Sequence, residues 1–480
     1  MNHPKPPPRR PASFLLAVPA LSMRAMLIAS LVACCGVSGA QQRPAQPNIL
    51  VLLADDLGWG DVGFHHATLP TPQLDRLAKE GVELQRFYAY PVCSPTRAGL
   101  LTGQMPRRFG IADVVGPQQN LPAGIATLPR TLQAAGYQTS LVGKWHLGQS
   151  VVPQQCGFDH FYGFLGPQID YFKHTNQRDA IDWQRDGKTL NETGYSTYLF
   201  ADEAIRQLKQ RDAKRPFFIE VAFNAVHVPR SAPPELLAKY KSLGEAAAIY
   251  AAVTEAMDSS IGRILATLDE EGLRANTLVL FFSDNGAAGR DGGSNAPLRG
   301  GKATVFDGGI HMPCLMRWPG HLTPGSASLQ PMAVHDVFPT LAAAAGAPVT
   351  DPTKLDGKNL WPALSEGRVI DRGAFVIAAI DLALFDGEWK LIETAAGQRS
   401  LYQIVKDPRE TTDLLASQSD VAERLGAKLT EVKKGLPAVS TRPRPRPGGA
   451  GGPGGAGGPA GAGPGRARPG ATSPGSGPQN

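Results

Sequence analysis

The sequence predicts an α/β fold, with a large mixed, mostly parallel sheet sandwiched by helices and a smaller C-terminal α+β subdomain. Three observations predict it. Residues 48–54, 217–223 and 277–282 are short, continuous apolar runs, as expected of strands that are covered on both faces. Segments with helical periodicity lie between these runs, and such alternation favours a parallel sheet. After about residue 346 the apolar runs become shorter, which indicates a separate, smaller unit.

The first helix is predicted over residues 71–81, because Thr71 can serve as N-cap, Pro72 suits the first turn and Gly81 suits the end. The pattern further predicts helices over residues 128–136, 198–209 and 246–271, and a strand over 137–142. In the C-terminal part it predicts strands over residues 374–378 and 389–392 and a helix over 421–434.

The two ends of the chain carry its positive charge. Residues 1–46 contain five basic residues and no acidic one, and so do residues 438–480, while the whole chain has a net charge of +6. The chain between them is therefore net acidic, and the composition does not indicate nucleic-acid binding. We predict that residues 437–480, rich in Gly, Pro and Ala, are disordered.

Residues 1–40 have the features of a secretory signal peptide. Basic residues precede an apolar run over residues 25–33, and small residues follow up to Ala40. The run is too short for an ordinary transmembrane span, so none is predicted. Cleavage after Ala40 would release a periplasmic or secreted protein. Residues 31–34 (L-V-A-C) are also similar to a bacterial lipobox, which would instead place a lipid anchor on Cys34.

Three cysteines lie beyond this segment, too few and too widely spaced for a disulfide framework. Two of them, Cys156 and Cys314, either pair with each other or are small buried apolar residues. The third, Cys93, opens the segment C-S-P-T-R, which leads into an apolar stretch that could begin a helix. Arg97 would lower the pKa of the Cys93 thiol or bind an anion, and a helix N-terminus would favour negative charge further.

Acidic and amide side chains follow two of the buried apolar runs. Asp55 and Asp56 end the first strand, and Asp284 and Asn285 end the strand over residues 277–282. Ligands of open α/β sheets bind beyond the carboxyl ends of the strands, so these four side chains are expected at one place. Three carboxylates and an amide oxygen suit a hard cation such as Ca²⁺ or Mg²⁺. Either pair alone could instead cap a turn.

Three more segments carry basic residues or histidines, and two of them follow predicted strands. G-K-W-H-L-G over residues 143–148 and N-A-V-H-V-P over residues 224–229 each follow a predicted strand, and L-R-G-G-K and F-D-G-G lie within residues 298–309. Together with residues 93–97 and the acidic pairs, these segments resemble the Cys-type sulfatases of the alkaline phosphatase superfamily, with arylsulfatases and N-acetylgalactosamine sulfatases among them. The resemblance runs from about residue 47 to 415. It implies a sulfatase catalytic domain over residues 45–345 and a smaller subdomain over 346–436.

The resemblance also implies a mechanism. In this family a maturation enzyme oxidises the cysteine to formylglycine (3-oxoalanine), whose hydrated aldehyde attacks an aryl or carbohydrate sulfate ester. The implied catalytic set is Cys93, Arg97, Lys144, His146, His227 and Lys302, and the implied metal ligands are Asp55, Asp56, Cys93, Asp284 and Asn285. Within this set, His146 would act as the base, and His227 or Lys302 would protonate the leaving alcohol. Asp307 and His311 depart from the family pattern, which commonly has Glu and Arg there.

Two other functions stay open from the sequence. A phosphomonoester or phosphonate-ester hydrolase of the same superfamily would share the fold and the aldehyde nucleophile. An inactive surface lipoprotein that binds sulfated glycans would keep Cys93 unmodified. Residues 163–174 and 292–297 are similar to sulfatases that act on sulfated N-acetylgalactosamine. The remaining histidines are predicted to serve surface or core packing, although His174 could line the mouth of a substrate pocket.

Overall fold

The structure is a computed structural model, and it describes residues 1, 3–8, 46–116, 118–289 and 292–438. The described residues from 46 to 438 belong to one compact unit. Most of the predicted signal peptide, the candidate anchor Cys34 and the predicted disordered tail from residue 439 lie outside the described residues.

Sixteen strands lie in the described residues, and we number them in chain order. They are β1 (Asn48–Ala54), β2 (Val82–Leu84), β3 (Phe87–Tyr88), β4 (Gln138–Lys144), β5 (His160–Phe164), β6 (Gln184–Arg185), β7 (Lys188–Thr189), β8 (Phe217–Ala222), β9 (Thr277–Ser283), β10 (Cys314–Arg317), β11 (Ser326–Ser328), β12 (Met332–Ala333), β13 (Phe375–Ala378), β14 (Leu382–Asp386), β15 (Trp389–Glu393) and β16 (Arg399–Gln403).

The α-helices of the described residues are numbered in the same way. They are α1 (Pro72–Glu80), α2 (Cys93–Thr102), α3 (Leu128–Ala134), α4 (Ser196–Gln210), α5 (Pro234–Tyr240), α6 (Glu245–Glu270), α7 (Asp307–Ile310), α8 (Val337–Ala344), α9 (Trp361–Ser365) and α10 (Ser419–Lys433). Short 3₁₀ turns, such as Trp59–Asp61 and Pro106–Phe109, connect several of these elements.

Ten strands form one sheet in the order β11-β2-β10-β9-β1-β8-β4-β5-β6-β7. The five strands at its centre, from β9 to β5, are parallel. Antiparallel pairing occurs only towards the edges among the described strands, where β10 opposes both of its neighbours and β6 opposes β5 and β7. This arrangement brings the carboxyl ends of β1, β4, β8 and β9 to the same edge of the sheet.

Each face of the large sheet packs into its own core. Alternate residues of β1 are buried on opposite faces, with Ile49 and Val51 in one core and Leu50 and Leu52 in the other. Helices α2, α3 and α8 cover the first face, and α1, α4 and α6 cover the second. Burial on both faces explains why these strands are continuous apolar runs in the sequence.

The C-terminal part is a four-stranded antiparallel sheet, β13-β14-β15-β16, on which α10 packs through Leu425 and Leu429. Its other face is continuous with a core of the large sheet, to which Phe375 and Phe385 contribute. The mixed, mostly parallel sheet with a smaller α+β part is therefore confirmed, while the boundary at residues 345 and 346 stays a prediction.

One predicted cap is wrong. The side chain of Thr71 accepts no hydrogen bond from the first turn of α1 and instead accepts one from the N–H of Gly63. The carboxylate of Asp258, on α6, accepts hydrogen bonds from the N–H groups of Gln73 and Leu74 at 3.0 and 2.9 Å. A helix distant in sequence therefore caps α1. No helix among the described residues is long and apolar enough to cross a membrane.

Candidate active site

The candidate site lies at the carboxyl edge of the large sheet. Asp55 and Asp56 directly follow β1, Asp284 follows β9, and Lys144 is the last residue of β4. Helix α2 begins at Cys93, which is buried. Ligand atoms of Asp55, Asp56, Cys93 and His227 all lie within 4.8 Å of one another. The fold therefore gathers, in these four residues, side chains that are up to 172 positions apart in the sequence.

Two lysines neutralise the first acidic pair. Lys144 Nζ lies 2.5 Å from Asp55 Oδ2, and both side chains are fully buried. Lys302 Nζ lies 2.7 and 2.8 Å from the two carboxylate oxygens of Asp56 and 3.9 Å from Cys93 Sγ. Burial raises the pKa of Asp55, but the charges of Lys144, Arg97 and Lys302 outweigh it and hold that pKa below its ordinary value. Both lysines thus contact the residues around Cys93.

Arg97 joins the two acidic strand ends. Its guanidinium lies 2.9 Å from Asp284 Oδ2 and 3.6 Å from Asp55 Oδ2, and it also donates to the carbonyl oxygen of Lys144 at 3.1 Å. Burial raises the pKa of Asp284, and the charge of Asp55 raises it further. These three contacts therefore hold the Arg97 guanidinium between the acidic ends of the two strands.

The donor set fits a hard divalent cation. Asn285 Nδ2 donates to Asp56 Oδ1 at 2.8 Å, which leaves the Asn285 Oδ1 atom buried without a hydrogen-bond partner among the described residues. A buried, unsatisfied carbonyl-type oxygen beside three carboxylates is the kind of donor that Ca²⁺ and Mg²⁺ take. All five predicted metal ligands thus lie in one region. The three carboxylates are matched by Arg97, Lys144 and Lys302, so a divalent cation would leave the site positively charged.

The Cys93 thiol is not an activated nucleophile. Burial raises its pKa to about 12, although Lys144 and Lys302 act in the opposite direction. The sequence suggested that a neighbouring arginine would lower this pKa or bind an anion. The net shift of the pKa is upward because burial outweighs the cations, and anion binding stays a prediction. At neutral pH the thiol is therefore protonated, and direct attack by a thiolate is disfavoured.

The two histidines flank Cys93 as neutral imidazoles. His146 is buried, and neither ring nitrogen has a hydrogen-bond partner among the described residues. Burial lowers its pKa well below the ordinary value, and the charges of Lys144 and Arg97 lower it further. His227 Nε2 lies 3.7 Å from Asp56 Oδ2, and burial lowers its pKa as well. A neutral imidazole can accept a proton at a ring nitrogen.

Hydroxyl groups of α2 fix the loops around the site. Ser94 Oγ donates to the carbonyl oxygen of His146 at 3.0 Å, and Thr96 Oγ1 lies 2.7 Å from that of Asp284. His146 and Asp56 both adopt left-handed backbone conformations, with φ of 51° and 65°. Residues other than glycine rarely hold such conformations without support from their surroundings. The supporting contacts therefore place the two side chains.

The C-terminal sheet reaches the segment that carries Lys302. Lys390, on β15, is fully buried and lies 2.6 Å from Asp307 Oδ1 and 2.7 Å from Glu410 Oε1. The other Glu410 oxygen accepts a hydrogen bond from the Asp307 N–H at 2.7 Å. His311 Nδ1 lies 3.2 Å from Asp307 Oδ2. The two residues that depart from the family pattern, Asp307 and His311, thus contact each other.

The remaining histidines and cysteines lie apart from the site. His65 stacks on Trp59, and His160 lies between Asp186 and Glu203. His174 is buried and stacks on Trp183, so it supports a loop rather than lining a pocket mouth. Cys156 and Cys314 are both free and buried, which agrees with the second of the two alternatives for this pair.

Sequence reasoning missed several residues. Ser94 and Thr96 stand inside the C-S-P-T-R segment but have no pattern of their own, and nothing local marks Lys390. Glu220 could have been noticed, because it is the only charged residue in the otherwise apolar strand β8.

Comparisons with known proteins agree with this geometry. The sulfatase family model matches residues 47–347. N-acetylgalactosamine-6-sulfatase of Homo sapiens is 38% identical over 368 residues, which cover 70% of this chain and 69% of that protein. Steryl-sulfatase of Mus musculus is 33% identical over 446 residues, covering 74% and 70%.

Among solved structures, Ps i-CgsB in complex with k-i-k-neocarrahexaose matches with a TM-score of 0.78 and 30% identity, over 82% of this chain and 94% of that one. A phosphonate monoester hydrolase of Agrobacterium radiobacter matches with a TM-score of 0.58 and 23% identity, over 82% of this chain and 96% of that one, which shows the shared fold alone. The relatives thus favour a sulfuric ester hydrolase over a phosphate or phosphonate hydrolase and over an inactive glycan-binding protein. The chain belongs to the sulfatase family.

Proposed function

We propose that this sulfatase hydrolyses carbohydrate sulfate esters and that Cys93, once oxidised to formylglycine, supplies the nucleophile. The observation that carries the proposal is the placement of Cys93. Its buried, protonated thiol stands at the start of α2, within 3.9 Å of Lys302 Nζ and 3.5 Å of Asp55 Oδ1. A hydrated aldehyde at this position would offer a hydroxyl group to the sulfur atom, which the thiol itself cannot do.

The cations around Cys93 are the groups that would bind the sulfuryl oxygens. Lys144, Lys302 and Arg97 all approach position 93 from the same carboxyl edge of the sheet. Charge on the sulfuryl oxygens increases as the sulfur is attacked, and fixed cations in a buried site stabilise that charge. A divalent cation held by Asp55, Asp56, Asp284 and Asn285 would supply further Lewis-acid stabilisation.

Two residues can protonate the leaving alcohol as its S–O bond breaks. Burial lowers the pKa of Lys302, but the carboxylates of Asp56 and Asp55 act against burial and the pKa is raised overall, so its ammonium stays charged at neutral pH. His227 is more open to solvent than His146, with its side chain 11% exposed. Lys302 can donate directly to an oxygen that develops negative charge. His227 is neutral and its Nδ1 lies 2.5 Å from the carbonyl oxygen of Val228, so it would first take the proton of the attacking hydroxyl at Nε2 and then pass it to the alcohol.

His146 would complete the cycle. Its unpartnered, neutral ring can take a proton from the second hydroxyl at position 93. Loss of that proton restores the carbonyl bond, breaks the carbon–oxygen bond to the sulfate and releases inorganic sulfate. The proton of the attacking hydroxyl therefore replaces the one that the leaving alcohol takes from His227 or Lys302, and the proton of the second hydroxyl passes to His146. Addition of a water molecule to the carbonyl then restores the hydrate.

The substrate class is proposed from the relatives. One is an N-acetylgalactosamine-6-sulfatase, and one structural neighbour was solved with a neocarrahexaose. We take a sulfated sugar as the substrate and Ca²⁺ as the first cation to test, with Mg²⁺ as the second. We also propose an exported protein, on the basis of residues 1–40, which is either free in the periplasm, secreted or lipid-anchored at Cys34.

The proposal is tested by mass spectrometry of the peptide that contains Cys93, from protein produced together with a formylglycine-generating enzyme. The peptide should be lighter by the difference between a thiol and an aldehyde. The converted protein should release sulfate from 4-nitrophenyl sulfate faster than phosphate from 4-nitrophenyl phosphate. Cys93→Ala should abolish sulfate release, and the matched variant Cys156→Ala, which removes another buried thiol, should retain it. Full activity of Cys93→Ala, or an intact thiol in active protein, would disprove the proposal.

A further inference from the structure

The segment between β5 and β6 is fixed directly beside His227. The buried hydroxyl of Tyr171 lies 2.8 Å from the carbonyl oxygens of both Asn224 and His227. The N–H of Ser196 donates to the carbonyl oxygen of Tyr171 at 2.8 Å, which ties the same residue to the start of α4. The position of this segment relative to the catalytic wall is therefore set by buried contacts.

The rest of the segment is closed on itself. Asp170 Oδ1 accepts hydrogen bonds from the N–H groups of Phe172 and Lys173 at 2.9 and 2.7 Å. His174 stacks on Trp183 with ring centroids 4.2 Å apart. Residues 168–179, which we call the wall, are thus held in place at Tyr171 and at His174.

A polar pocket of 210 Å³ lies between this wall and Pro229, two residues after His227. Its polar lining includes Gln168, Asp170, Lys173, Thr175, Asn176 and Asp179. No hydrogen bond or ion pair with another described residue engages the side chains of Gln168, Lys173 or Asp179. Pro229 and the largely buried Ile169 complete the lining. The pocket therefore has free donors and acceptors beside Pro229, in the segment that carries the candidate leaving-group residue His227.

We propose that this pocket binds the sugar joined to the sulfated one, and that this neighbouring sugar is neutral rather than a uronic acid. The inference rests on the proposed function. Amide, hydroxyl and carboxylate groups that line a concave surface suit the hydroxyl groups of a sugar ring. The volume is that of a single ring rather than a longer chain.

Charge decides between the two kinds of sugar. Two carboxylates, Asp170 and Asp179, face the pocket, against the single ammonium of Lys173. A uronate would bring a third carboxylate into this surface, and like charges at close range disfavour binding. Hydroxyl groups, in contrast, can donate hydrogen bonds to both aspartates.

Two variants and one control test the proposal with converted enzyme. Gln168→Ala removes a side chain that could bind the sugar, and Asp179→Asn removes one negative charge. Asp179 has φ of 55°, a conformation that asparagine also adopts readily. Asp371→Asn is the matched control, because Asp371 is exposed, lies outside the pocket and accepts a backbone hydrogen bond that an asparagine oxygen can keep.

The probes are 4-nitrophenyl sulfate and two disaccharides with terminal N-acetylgalactosamine 6-sulfate, joined to galactose or to glucuronate. Wild type should prefer the galactose probe by about tenfold in kcat/KM. Gln168→Ala should lower kcat/KM for that probe by about fivefold, mainly through KM. Asp179→Asn should raise kcat/KM for the glucuronate probe several-fold, while all variants hydrolyse 4-nitrophenyl sulfate within about twofold of wild type.

The possible results distinguish a failure of the inference about the pocket from a failure of the proposed function. An enzyme that hydrolyses 4-nitrophenyl sulfate but prefers the glucuronate probe, or whose disaccharide rates are unchanged by both variants, would overturn the inference and leave the proposed function standing. Converted protein that hydrolyses none of the three probes would instead contradict the proposed function, and the inference would fall with it.

Discussion

Replacing Glu220 by glutamine should stabilise the protein, and the gain should depend on pH. Glu220 lies within β8, a central strand, and its carboxyl group is buried on the face covered by α2. Its Oε2 atom has no hydrogen-bond partner among the described residues. Burial raises its pKa to about 7, although the charge of Arg97 acts against the increase. The folded protein therefore disfavours the charged form.

The size of the stabilisation follows from the difference between the pKa of Glu220 in the folded chain and in the unfolded chain. One pKa unit corresponds to about 1.4 kcal/mol, so an increase from 4.5 to about 7 costs the folded state about 3 kcal/mol at pH 8. Below pH 4.5 the carboxyl group is protonated in both the folded and the unfolded chain, and the cost is absent. It grows as the pH rises from 4.5 to about 7 and is then constant. Glutamine never ionises, so Glu220→Gln avoids this cost.

Thermal unfolding of the two proteins at pH 5 and pH 8 measures the effect. For the about 390 residues between 46 and 438 that the structure describes, 3 kcal/mol corresponds to an increase of about 4 °C in Tm at pH 8. Most of this increase should be absent at pH 5. Glu203→Gln is the matched control with the opposite sign, because His160 and Arg206 outweigh burial and lower the pKa of that buried glutamate. A Glu220→Gln variant that is less stable at pH 8, or equally shifted at both pH values, would refute the reasoning.

Two further predictions concern the site and its support. Lys390→Met should lower the free energy of unfolding by about 3 kcal/mol, because the buried carboxylates of Asp307 and Glu410 lose the ammonium group between them. Lys428→Met at an exposed ion pair should change it by less than about 1 kcal/mol, as measured by urea denaturation. Equal losses in the two variants would contradict the buried pairing. Exhaustive chelation should abolish release of 4-nitrophenol from 4-nitrophenyl sulfate and lower Tm, and added Ca²⁺ or Mg²⁺ should restore both. Full activity after chelation would exclude a metal at Asp284.

Much of the fold and of the site could be predicted because their signals are local. A strand buried on both faces is a continuous apolar run, and the residue after it stands at the edge of the sheet where ligands bind. The amino-acid sequence alone therefore places Asp55 and Asp284 together, although they are 229 positions apart. The bounds of β1 agree with the prediction for the same reason.

The support of the site could not be predicted, because it depends on contacts between distant segments. The cap of α1 comes from Asp258, on a helix almost two hundred positions away, and the sequence around Thr71 contains a complete cap of its own. The protonation of Cys93 depends on how fully the fold buries it, and a neighbouring arginine in the sequence gives the opposite expectation.

The same distinction explains which functional properties the sequence conveys. The residues that we propose for the reaction lie in short motifs, and the proposed metal ligands Asp55 and Asp284 directly follow strands. In our proposal, the neighbouring sugar binds at the wall, which the Tyr171 hydroxyl anchors to the carbonyl oxygen of His227. This contact uses the backbone of His227 and not its side chain. Such a backbone contact places no constraint on the amino acid at position 227, so no sequence motif predicts it. The sequence motifs of this sulfatase therefore indicate its reaction. Its preference for one neighbouring sugar over another has to be tested by substitution of residues such as Gln168 and Asp179.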